Sequence, residues 1–180
     1  MMKRAWILLP VLAAALAGCQ PAGPMIVKGD LALSGADSAA YLDTLASRNT
    51  VTQADALEGM LLVLGQDGGE KTFARAIEIL SEKKIVSPAW RFQADANVTK
   101  GRVAYMVYQA CGLRGGVTLA LAGPSQRYCL KELQYLGLMS QGQTYNTVTG
   151  MEYVAILARA DELRQTGKVS DVMKKEEGAE

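Results

Sequence analysis

Apolar and polar positions follow a helical period along most of the chain. Phe73, Ala76, Ile77 and Leu80 fall at i, i+3, i+4 and i+7, with Arg75, Glu78 and Glu82 on the other side, the stripe of an amphipathic helix. Tyr41, Leu42 and Leu45 begin a similar stripe, and Cys129, Leu130 and Leu133 repeat the order of Ala76, Ile77 and Leu80. Each stripe is followed by a second apolar run that opens on a recurring phrase. The phrase reads Asn49-Thr50-Val51-Thr52, then Asn97-Val98-Thr99, then Asn146-Thr147-Val148-Thr149. Thr52, Thr99 and Thr149 are expected N-caps, because a threonine hydroxyl can accept from an orphan amide of the first helical turn. Three residues on stand Asp55, Arg102 and Glu152. The two acids suit the positive end of a helix dipole, and Glu152 is expected to complete a capping box with Thr149. Ala56, Val103 and Tyr153 come four residues after the caps and Met60, Val107 and Leu157 eight after, which places them on one face.

These patterns predict an all-α fold of three helix-loop-helix repeats over residues 37–164. The middle repeat is the most complete: Pro88 ends its first helical stretch, and Trp90 and Phe92 sit in its loop. The third has a polar turn at Gln141-Gly142-Gln143, and the first is abbreviated to a few residues between Leu45 and Thr52. Gly65-Gln66-Asp67-Gly68-Gly69-Glu70-Lys71 reads as a loop between repeats, since it lacks phosphate-cradling spacing. A pair of short helices cannot bury its apolar face alone, so the three must pack on one another.

The middle repeat, with Ala76-Ile77, Leu80, Ile85-Val86, Phe92, Asp95 and Val98-Thr99-Lys100-Gly101-Arg102, resembles the S-layer homology domain. The family pattern has an Ala-Ile pair, a Leu, a Gly-Ile, then Phe-x-Pro-Asp and Ile-Thr-Arg-Ala-Glu. The resemblance implies a pseudo-threefold helical module that binds anionic cell-wall polysaccharide in grooves between repeats. Here the family's proline falls on Ala94 and its glycine on Lys84. Its basic residue after the threonine becomes Gln53, Lys100 and Gly150, so one of three is a cation.

The ends of the chain add a location. Residues 1–18 carry Lys3 and Arg4 and then an apolar stretch, Ala5 to Ala15, too short to span a bilayer comfortably. Leu16-Ala17-Gly18-Cys19 resembles the bacterial lipobox, which implies cleavage before Cys19, acylation of that cysteine and a membrane anchor. Gln20 after the cysteine implies sorting to an outer membrane. Residues 19–36 have the composition of a tether and residues 165–180 that of a solvated charged tail. Removing residues 1–18 takes two bases and no acids, leaving 17 bases against 18 acids and a net charge of −1. That balance gives no reason to expect a nucleic acid partner.

Chemistry is constrained by what is missing. The chain has no histidine, which removes Ser-His-Asp and Cys-His catalysis. Besides Cys19 there are two cysteines, Cys111 and Cys129, too few for a structural zinc site. They are compatible either with a bridge between neighbouring repeats or with two buried thiols. No cofactor, metal site or enzymatic activity is expected. The candidate binding residues are Trp90, Arg91, Lys100 and Arg102, with Arg114 from the next connection: an aromatic to stack on a sugar and cations to meet carboxylates. Cell-wall or envelope polysaccharide is the first expected partner, and another envelope protein held by the helical surface is the alternative.

Overall fold

A computed structural model describes residues 33, 37–66, 72–115 and 117–167. The lipobox with Cys19, the tether apart from Leu33, most of the glycine-rich loop at 65–71 and the charged tail beyond residue 167 lie outside the described residues. The fold is all-α, with seven helices among the described residues: α1 (Ser38–Ala46), α2 (Gln53–Val63), α3 (Phe73–Glu82), α4 (Lys100–Ala110), α5 (Val117–Ala122), α6 (Gln126–Tyr135) and α7 (Gly150–Thr166). No strand is present among them, only isolated bridges that pair Thr52 with Asn97 and Thr99 with Thr147. The last helix runs two residues into the stretch read as tail and stops at Gly167 in a left-handed conformation.

The helix starts follow local chemistry. Thr52, Thr99 and Thr149 cap α2, α4 and α7, each hydroxyl accepting from the amide three residues on. Thr72 and Ser125 do the same for α3 and α6. The capping box expected at Glu152 is found at Asp55 instead, whose carboxylate takes the Thr52 amide at 3.0 Å. Glu152 has a stronger claim on it: its carboxylate accepts from Lys100 Nζ at 2.8 Å and from the Ser140 hydroxyl. Short α5 was not foreseen between the glycines. It buries Leu119 and leaves Leu121 exposed.

Hydroxyl caps satisfy only one first-turn amide each, and the others look outward. Gln53 N donates to Ala96 O at 2.8 Å, Lys100 N to Asn146 O at 2.8 Å, and Gly150 N to Arg48 O at 2.9 Å. So the start of α2 is completed by the segment before α4, that of α4 by the segment before α7, and that of α7 by the segment after α1. Val51 N to Val148 O and Val98 N to Val51 O, both 2.9 Å, tie the three segments where they meet, and all three valines are buried. Helix packing runs in the same order: α2 on α3, α4 on α6 and α7 back on α1, with α2 also touching α4 and α7. The fully buried side chains of Leu45, Leu57, Phe73, Leu80, Met106, Leu133, Tyr153 and Ile156 draw on six of the seven helices, so one core is shared.

Two backbone positions explain residues that looked out of place. Lys84 has φ of 58°, the left-handed region, at the turn where Lys84 N bonds Ser81 O and Ile85 N bonds Leu80 O. The matching turn after α6 uses Gly137, φ 74°, with Gly137 N on Gln134 O and Leu138 N on Leu133 O. A β-carbon in that region is crowded by the following carbonyl, and glycine escapes the penalty. Gly150 is constrained by space: a β-carbon there would stand 1.8 Å from Leu45 O and 2.9 Å from Arg48 O. The short α1–α2 connection brings the end of α1 straight onto the first turn of α7, leaving no room for a side chain.

Replacing Gly150 with alanine should destabilise the fold by about 3 kcal/mol, because the displaced atom is backbone and cannot rotate away. Urea melts of parent and variant check this, and an unchanged midpoint would mean that α1 does not close on α7. Lys84→Gly should raise stability by about 0.5–1 kcal/mol in the same assay, through relief of the left-handed strain.

Candidate functional site

The candidate residues divide between two grooves and the turn after α4. The first groove lies where the start of α2 meets the segment leading into α4. Besides the Gln53–Ala96 bond, Ala54 N donates to Ala94 O at 3.1 Å and Gln93 N to Gln53 Oε1 at 3.3 Å. Trp90 is held half-buried by its amide on Ser87 O and by rings on both sides, Phe92 at 6.0 Å and Tyr105 at 5.3 Å between centroids. Arg102, the third residue of α4, lays its guanidinium over this platform, 5.2 Å from the Trp90 ring and 5.7 Å from that of Phe92. Its Nη2 donates to Arg91 O at 3.3 Å, and the Arg91 side chain itself is exposed. Partial burial lowers the Arg102 pKa, since desolvation opposes its charge. A small open cleft between Gln53, Trp90, Phe92 and Arg102 has room for little more than about one water molecule.

Among the described residues neither Arg91 nor Arg102 has a carboxylate partner. Arg102 therefore sits at a helix N-terminus, where the dipole disfavours a cation, with only aromatic faces and one carbonyl to offset it. The groove can present two cations beside an indole to an anion that arrives from solvent.

The second groove, between the start of α4 and the segment before α7, is already filled from within. Lys100 is 6% exposed. Its ammonium donates to Ser140 Oγ at 2.7 Å and Gln141 O at 3.0 Å and pairs with Glu152 at 2.8 Å. Three partners saturate an ammonium, so Lys100 joins two parts of the fold and offers no donor to a ligand. It does not share a surface with Trp90 and Arg91 as their closeness in sequence implies. Arg114 follows the Cys111 end of α4, where Leu113 N bonds Tyr108 O and Gly115 N bonds the Tyr108 hydroxyl. The helix rise puts that end about 15 Å from Lys100.

At the third meeting point Gly150 supplies no side chain, and the nearby ion pair is Arg48 with Asp55 at 2.8 Å, inside the α2 cap network. Tyr41 and Tyr153 donate their hydroxyls to Asp55 O at 2.8 Å and Ala56 O at 2.6 Å, which fixes the same turn.

Cys111 and Cys129 are free thiols, so of the two arrangements the residues allowed, the structure has the unbridged one. Cys111 Sγ points to Ala160 O of α7 at 3.7 Å, whereas Cys129 is fully buried on the inner face of α6. Burial pushes Cys111 up to about 11 and Cys129 up to about 12. Sequence reasoning missed the Phe92–Trp90–Tyr105 platform and the Glu152 counter-ion of Lys100. The first was signalled by Tyr105 standing six residues past the cap, on the side of α4 that the apolar stripe leaves free. The second had no local signal. No family model matches the chain, and neither a curated protein nor a solved structure does.

Both thiols should resist modification in the folded state. Against the ordinary value of 9.0, a pKa of about 11 leaves about a hundredfold less thiolate at pH 8, and the thiolate is the attacking species. With Cys19 changed to serine, a disulfide reagent at pH 8 should label neither thiol rapidly until denaturant is added, and both after. Fast labelling of Cys129 in the native chain would contradict the packing of α6.

Proposed function

We propose that this chain is a non-enzymatic, lipid-anchored envelope protein with an S-layer-homology-like body that binds an anionic envelope polysaccharide in the groove of Trp90, Arg91 and Arg102. The cyclic order of the cap bonds and of the helix packing supports three repeats about a pseudo-threefold axis: α1–α2, α3–α4 and α6–α7, with α5 as an insertion. The observation that carries the binding reading is a partly desolvated arginine stacked on tryptophan, with no carboxylate partner among the described residues and an exposed arginine beside it. Guanidinium groups bind carboxylates through paired donors, so the carboxylates of an acidic glycan suit the two arginines. The anchor is Cys19, acylated after removal of residues 1–18, which places the body at a membrane, the outer one by the residue after the cysteine.

A second reading has its own support. Lys100 is neutralised by Glu152 and Gly150 carries no side chain, so among the described residues one of the three grooves keeps cations without a carboxylate partner. A module with one open groove could instead dock another envelope protein through its helices.

Sedimentation of the chain from residue 20 onward with purified anionic cell-wall or outer-membrane glycan separates the readings. The parent should co-sediment, Arg91→Glu should weaken binding at least about tenfold by replacing attraction with repulsion, and Lys100→Met should change affinity little. Loss of binding only with Lys100→Met, or no binding to any anionic glycan, would overturn the groove assignment. Anchoring is checked apart from this: Cys19→Ser should move the protein from the membrane to the soluble fraction.

A further inference from the structure

The outward side of α6 carries aromatic and basic residues together. Its inner side is set by Cys129, Leu130 and Leu133, all buried. Opposite them, within an arc of about 100° on the helix, fall Arg127, Tyr128, Lys131 and Tyr135, all exposed. Tyr135 is 83% exposed and Tyr128 36%. No acid lies in that arc: Glu132 is at its edge and half-buried, and neither Arg127 nor Lys131 has an ion-pair partner among the described residues. Arg127 and Lys131, four apart, repel one another along the helix, a small cost that no ion pair among the described residues offsets. Leu121, on the short α5 that packs on α6, is 84% exposed.

We infer that this face of α6 rests on an anionic phospholipid surface. Two tyrosines, whose apolar rings end in a polar hydroxyl, suit the boundary between acyl chains and headgroups, and the two cations suit anionic headgroups. Leu121 supplies a side chain that can enter the acyl region. A second copy of this chain is the poorer occupant, since a self-complementary contact would bring Arg127 and Lys131 against their own equivalents. Reach also favours the bilayer. The inference rests on the anchored reading, under which residues 19–36 can separate the body from its lipid by at most about 60 Å. Within that distance the face can reach the membrane at high effective concentration. The contact would fix how the body stands on the membrane and which groove faces away from it.

Vesicle co-sedimentation tests this with the unacylated chain from residue 20, which keeps all of the described core, so its outcome does not depend on acylation or on a glycan. The vesicles are phosphatidylcholine alone or with about 30% phosphatidylglycerol, an anionic surface of the kind that attracts basic side chains. The parent should partition at least about tenfold more strongly to the anionic vesicles, and high salt should abolish the difference. Arg127→Gln with Lys131→Gln should remove most of the binding with the melting curve unchanged, and Tyr135→Ala with Leu121→Ser should weaken it at unchanged salt dependence. Equal partitioning to both vesicles, no partitioning to either, or charge variants that bind like the parent would each overturn the inference. Arg91→Glu, which bears on the glycan groove, should leave vesicle binding as it was.

Discussion

A helix that begins in the middle of a protein has several amides pointing at nothing, and a hydroxyl cap covers only one. In this chain further donors at the starts of α2, α4 and α7, Gln53, Lys100 and Gly150 among them, are met by carbonyls of another segment, so each start is tied to a different part of the sequence. The arrangement is circular, which makes it cooperative. Separating any one segment would leave buried donors unpaired on its neighbour, at about 1–3 kcal/mol for each group. Burial of the three valines and the pairing of helices across segments follow from the same geometry, because amides can reach those carbonyls only if Val51, Val98 and Val148 converge.

The first residue of each of these helices is thereby pressed against foreign backbone, and the chain meets the same constraint in three ways. Gln53 uses a neutral amide that accepts from Gln93. Lys100 uses a cation whose burial is tolerable because Glu152, Ser140 and Gln141 surround it. Gly150 uses no side chain, since the missing loop after α1 has taken the space. Differences that look like erosion of a motif are thus separate solutions to local volume and charge, and they leave one groove open, one filled and one closed.

Much of the helical frame was legible because it depends on local chemistry. The threonines and the periodic apolar residues announce their helices wherever they occur, and an all-α chain follows from them. What was not legible depends on contacts distant in sequence. Glu152 satisfied every local condition for a capping box and went instead to Lys100, fifty-two residues earlier, a choice fixed by the turn at Ser140. Arg114 stood near the candidate cluster in sequence, but it follows the far end of α4, the helix whose start carries Lys100 and Arg102. The strained φ at Lys84 was half-visible: a lysine where the resembling family has glycine marks the position, but only backbone geometry shows that the left-handed turn persists.

Arg102 is where local and global preferences disagree most. The third position of α2 carries Asp55 and that of α7 carries Glu152, acids favoured by the helix dipole, while α4 carries a cation. The dipole disfavours it by about 0.3–1 kcal/mol, and partial burial adds desolvation on top. Stacking on Trp90 and Phe92 returns about 0.5–2 kcal/mol, enough to keep the residue in place but not to neutralise it. A fold that pairs Arg48 with Asp55 and Lys100 with Glu152 has carboxylates to offer, yet among the described residues none pairs with this arginine. Departures from local consistency concentrate at functional positions. An anion held there would relieve the dipole and the desolvation together, and so it would bind most tightly where the empty protein is least comfortable.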